Sequence, residues 1–92
     1  MNPSELIHLP DQQQFRLKVQ GETCFVNYRM NNNLMYLTHS EVPHALRGQG
    51  AGKELVEKTF EFIEAHDIKA VAVCSYIRAV AMRSPKWSQI IG

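Results

Sequence analysis

The sequence predicts an α+β fold of order β-β-β-α-β-α, in which an antiparallel meander leads through a crossover helix to a buried strand and a last helix, with the helices packed on the sheet. Three observations predict it. Between Gln13 and Val42 apolar residues recur at every second position, from Gly50 to His66 they recur at helical spacing, and Ile68-Lys69-Ala70-Val71-Ala72-Val73-Cys74 is a short apolar run rich in valine. The 92 residues are expected to make one domain, spanning 1–92, with 1–12 loosely ordered.

In the meander, Phe15, Leu17 and Val19 alternate with Arg16, Lys18 and Gln20, and Cys24, Val26, Tyr28 and Met30 alternate with more polar neighbours. Such alternation fits half-buried strands. Gln20-Gly21-Glu22 and Asn31-Asn32-Asn33 stand where turns are needed, since Gly and Asn accept the positive φ of tight hairpins. Leu34 to Val42 is the third strand, and Pro43 ends it.

The period then changes. Ala51, Leu55, Thr59 and Phe62, with Val56, Phe60 and Ile63, form one apolar stripe, while Lys53, Glu54, Glu57, Lys58, Glu61 and Glu64 form a wet face. Asp67 is expected to close this helix, and the run ending at Cys74 to lie parallel to the third strand, because a crossover helix joins them. Ser75 is expected to cap a second helix, Tyr76 to about Arg83, which Pro85 prevents from continuing.

Ten Lys and Arg against nine Asp and Glu give a formal charge of +1. No broad field is available for nucleic acid or an anionic membrane, so neither is expected as a partner. No apolar run approaches the roughly 20 residues of a membrane span, and the first residues lack the basic and apolar regions of a signal peptide. A cytoplasmic protein is expected, with Cys24 and Cys74 as reduced thiols. The exposed edge of a small meander leaves a monomer or a weak dimer open.

Arg47-Gly48-Gln49-Gly50-Ala51-Gly52 lies between a strand and a helix, where the first helical amides have no intrahelical partners. Glycine lets an anion approach the backbone without meeting a Cβ, and the helix dipole adds attraction. Arg47 and Lys53 flank it with cations. A triphosphate-binding loop would need glycine at Arg47 and Ser or Thr at Glu54. In a dinucleotide fingerprint the third glycine would come one residue later, after an opening strand.

The loop matches the Arg/Gln-x-x-Gly-x-Gly/Ala signature of the GNAT superfamily. With Thr38-His39-Ser40-Glu41-Val42-Pro43 before it and Cys74-Ser75-Tyr76 after it, the chain resembles the short, single-domain GNAT branch from about Leu34 to Trp87. The resemblance implies a minimal GNAT fold whose parallel strand pair splays, and an acetyl-CoA pyrophosphate bound by the main chain of Arg47, Gly48, Gln49, Gly50, Ala51 and Gly52 beside Lys53. It further implies main-chain contacts from Glu41 and Val42 to the pantetheine arm, with the thioester directed toward Cys74 and Ser75. The implied function is an acetyl-CoA-dependent N-acetyltransferase acting on an amine, with a non-catalytic acyl-CoA or CoA-binding module as the alternative. Val80 stands where the branch usually has an aromatic, and Ser84 where a polar or basic residue usually precedes the proline.

Three side chains are the catalytic candidates. Cys74, at a strand end before a helix, is placed to be a nucleophile. Glu41 is a candidate base if partly desolvated, and His39, two residues away on the same strand face, could relay a proton. Tyr76 is expected to pack its ring in the core, whereas Trp87 could flank the cofactor's adenine or 3′-phosphate together with Arg83 and Lys86. No metal is expected, because the Cys and His spacings match no zinc pattern.

Overall fold

The structure is a computed structural model that describes residues 5–92, and it opens on an additional strand, β1 (Leu6–Leu9). The expectation of a loose segment over 1–12 is therefore corrected for the described part, while residues 1–4 lie outside it. His8 fixes this strand. Its ring stacks on Phe15 with centroids 4.5 Å apart, and its Nε2 lies 2.6 Å from the Tyr28 hydroxyl. Burial, and secondarily the charge of His66, hold the His8 pKa below the ordinary imidazole value.

β2 (Gln14–Val19), β3 (Glu22–Asn31) and β4 (Leu34–Glu41) form the expected meander, with β1 antiparallel to β2 at its outer edge. Gln20 and Gly21 take φ of 50° and 80°, and Asn32 and Asn33 take 53° and 64°. Two consecutive left-handed residues make a turn whose twist matches the strands it joins. These pairs set the registers Val19↔Glu22 and Asn31↔Leu34.

Helix α1 (Ala51–Ala65) buries Ala51, Leu55, Val56, Thr59, Phe60 and Ile63 against one sheet face. The Thr59 hydroxyl donates to the Leu55 carbonyl at 2.8 Å, which satisfies a polar group that burial would otherwise penalise. The helix ends as Asp67 turns to φ 56°, with Ile68 N–H donating to the Ile63 carbonyl and Asp67 N–H to that of Glu64. That pairing is the Schellman arrangement, and it returns the chain to the sheet. β5 (Lys69–Ala72) then pairs parallel with β4 from Leu34↔Lys69 to Leu37↔Ala72.

Two features depart from the expected order after β5. Helix α2 spans Ser75–Met82 with Cys74, not Ser75, at the N-cap position. Beyond it Pro85 opens a third helix, α3 (Pro85–Ile90), at whose first turn the Ser84 hydroxyl accepts from the Trp87 amide at 3.3 Å. The chain then runs beside β5, with Gly92 N–H donating to the Ala70 carbonyl at 2.9 Å. Among the described residues no helix is long and apolar enough to cross a membrane.

α3 corrects the reading of Trp87. Its ring is only 5% exposed and meets Phe60 at 5.4 Å between centroids, while Lys86 lies over it at 4.5 Å and pairs with Glu64 at 3.3 Å. Trp87 is thus core, not a cofactor contact. Trp87→Ala should lower stability by about 3 kcal/mol, read as a lower urea midpoint at unchanged slope. A loss below about 0.5 kcal/mol, the range of an ordinary surface substitution, would contradict this packing.

Candidate functional site

The geometry of the site starts where β4 and β5 part. The Leu37 carbonyl accepts from both Val73 N–H (2.9 Å) and Cys74 N–H (3.0 Å), and strand pairing stops at Leu37↔Ala72. From Thr38 to Glu41, β4 keeps β3 on one side and, among the described residues, has no strand partner on the other. The gap is open backbone.

A second irregularity falls at the same point. Asn27 pairs with His39 and Tyr28 with Leu37, so Thr38 is an extra residue, bulged, with its hydroxyl donating to the Asn27 carbonyl at 3.2 Å. A bulge reverses the in-and-out alternation beyond it. Ser40, opposite Val26, therefore joins Leu37 on the helix side of the sheet, and His39 and Glu41 turn to the open side. There they form an exposed pair, Nε2 to Oε1 3.3 Å, with side chains 54% and 59% exposed. The partial desolvation expected to equip Glu41 as a base is not present.

The loop closes the other end. Leu46, 2% exposed, anchors it in the core, and Gly48 and Gly50 take φ of 81° and 78°, which L side chains adopt only with strain. Gly50 caps α1 without a capping side chain. Among the described residues, no protein acceptor takes the amides of Gly48, Gly50, Ala51, Gly52 or Lys53. The Gln49 amide is engaged by the Leu46 carbonyl, and its side chain bridges Gln20 (3.1 Å) and the Ala45 carbonyl (3.1 Å). Gln49 therefore braces the loop.

A cavity of about 740 Å³ runs between these parts, from Ser40 and Glu41 on β4 and Val42 just after it to Arg47, Gly48, Gly50, Ala51 and Gly52 on the loop. Its volume is that of a small-molecule site. Tyr76 lines it, 43% exposed, with its hydroxyl so near Gly52 that a Cβ there would stand 3.0 Å away. The expectation of a core tyrosine is corrected: this ring forms a wall. Lys53, Arg83, Val80 and Ser84 line a smaller cavity of about 170 Å³ that shares Tyr76.

Cys74 and Ser75 do not line the main cavity, but Cys74 Sγ lies 3.5 Å from Ser40 Oγ, which does. Burial pushes the Cys74 thiol up, yet hydrogen bonding from the Ser40 side chain and from the Ile77, Tyr76 and Ser40 backbone outweighs it and holds the thiol below its ordinary value. Cys24, fully buried, is pushed up by burial first and by Glu54 and Glu22 after that. Both cysteines are free.

With this geometry in place, comparison with known proteins decides the family. Residues 14–90 match the family described as GCN5-related N-acetyl-transferase. The chain belongs to that family. It is 31% identical over 91 residues to Protein NATD1 of Xenopus tropicalis, across 92% of this chain and 84% of that protein. Protein NATD1 of Homo sapiens is 29% identical over 86 residues, across 90% of this chain and 76% of that protein. The solution structure of a GCN5-like putative N-acetyltransferase from Staphylococcus aureus superposes with a TM-score of 0.72 at 22% identity, over all of this chain and 91% of that one. The short GNAT fold is thereby established, with β4 bulged against β3 and parted from β5 at the cleft.

The reading of the GNAT loop from residues 47–52 missed Ser40 and Leu46. Leu46 had a signal, the one large aliphatic side chain between Pro43 and Ala51. Ser40 had a weaker one: Met35 and Leu37 are followed at the same parity by His39 and Glu41, a break that marks a register change. In the folded protein near neutral pH, iodoacetamide should alkylate Cys74 at least about ten times faster than Cys24. Comparable rates, read by peptide mass mapping, would contradict these two environments.

Proposed function

We propose that this GNAT protein is an acetyl-CoA-dependent N-acetyltransferase whose acetyl group passes through Cys74 to an amine. The observation that carries this reading is one cavity that reaches from loop amides with no acceptor among the described residues to Ser40, whose hydroxyl lies 3.5 Å from the Cys74 thiol behind it. The protein fits the co-substrate on its own terms. Backbone N–H groups at a helix start suit a pyrophosphate, and Arg47 and Lys53 supply cations beside them. The edge at the end of β4, from Glu41 into Val42, has no strand partner among the described residues and suits an amide-bearing chain, as any open strand edge does.

Acetyl-CoA supplies an acyl group activated as a thioester. The Cys74 thiolate attacks its carbonyl carbon, the new carbon–sulfur bond forms as the bond to CoA breaks, and CoA leaves as a thiolate that takes a proton from solvent. A neutral amine then attacks the acetyl-cysteine, a carbon–nitrogen bond forms, and the Cys74 sulfur leaves with its electron pair. His39, hydrogen-bonded to Glu41 on the open side, is assigned the proton that the amine gives up.

Incubation with acetyl-CoA should add the mass of one acetyl group, mapped to Cys74, and Cys74→Ala should abolish the adduct and slow transfer to amines by about 100-fold or more. Full transfer by Cys74→Ala would overturn the covalent route in favour of direct attack. CoA binding without an adduct or any acetylated amine would favour a binding module instead.

A further inference from the structure

The bulge at Thr38 delivers a hydroxyl to the thiol. Ser40 reaches the helix side of the sheet only because one extra residue separates it from Leu37, and its Oγ then lies 3.5 Å from Cys74 Sγ. Among the described residues this is the one hydrogen bond its side chain makes. Both residues are part-buried, and Cys74 sits at the N-cap position of α2. The ionisable groups on the elements that meet there are Tyr36, His39 and Glu41 on β4, Lys69 on β5, and Tyr76 and Arg78 on α2. The direction of the Cys74 shift comes from burial and hydrogen bonds rather than from these charges.

We propose that Ser40 is a positioning residue for the Cys74 thiolate, its hydroxyl donating to Sγ and holding the sulfur toward the gap between β4 and β5. The role rests on the reading of Cys74 as nucleophile. In the thiol either atom can donate, but a thiolate has no proton, so only Ser40 can then supply it. The bond is therefore strongest in the charged state and favours ionisation. Its benefit has a limit, since nucleophilicity falls as basicity falls, with a Brønsted slope of about 0.4–0.5. Below the thiol's pKa, a tenfold gain in thiolate still leaves roughly a threefold gain in rate.

The test is the pH profile of alkylation by iodoacetamide at Cys74, followed by intact mass, in the wild type and in Ser40→Ala and Ser40→Thr. Ser40→Ala should move the midpoint upward by about half a pH unit or more, as expected for losing a hydrogen bond to a charged group that is partly solvated. Ser40→Thr, which keeps the hydroxyl, should restore the wild-type midpoint. An unchanged midpoint in Ser40→Ala, or an equal rise in Ser40→Thr, overturns the proposal. If alanine disturbs the fold, Ser40→Val against Ser40→Thr gives the same comparison at matched shape. A shifted midpoint together with no acetyl transfer to Cys74 would sustain Ser40 and overturn the catalytic reading alone.

Discussion

The Leu37 carbonyl terminates the pairing of β4 with β5, and the cleft follows from that termination. By accepting two successive amides, Val73 and Cys74, it lets β5 leave the sheet with both N–H groups still paired. Beyond it, β4 must either leave its edge groups to water or offer them to a ligand. The bulge at Thr38 acts at the same level. It exchanges the faces of the next residues, so a small hydroxyl rather than a carboxylate faces Cys74. A carboxylate there would have met the opposite electrostatic demand, because a negative charge beside a thiol disfavours its ionisation.

The loop solves a different problem with the same economy. A helix start without a capping side chain leaves its amides needing partners, which costs least where solvent or an anion reaches them. Gly48 and Gly50 have open space where a Cβ would be, so their need is conformational: positive φ aims the chain into α1. Gly52 is there for a different reason, the close approach of Tyr76. Leu46 below and Gln49 beside the loop hold this shape before any ligand arrives. Preorganisation of that kind reduces what binding must spend on ordering.

Much of this was legible because periodicity reports burial directly. The three meander strands, α1 and the parallel β5 were all visible in their repeat patterns, and the left-handed turns in Gly21 and the Asn31–Asn33 run. β1 was not, since it is four residues long and apolar on both faces: Leu6 faces the core while Ile7 is 52% exposed. α3 was overlooked although Ser84-Pro85 is a sound helix-start pair, because the proline was read only as an end. At the site, the loop was readable from residue types, whereas the contact of Ser40 with Cys74 was not. A bulge is a backbone event, and its trace in the sequence is only a lapse in alternation.

The central claim is that the loop amides and the open edge of β4 form one continuous binding surface. The most direct measurement is the amide spectrum of the labelled protein during titration with CoA. The account predicts that Gly48, Gly50, Ala51, Gly52 and Lys53 shift together with residues of the 38–42 segment, while β1 and α3 stay fixed. Unmoved loop amides at millimolar CoA would contradict it.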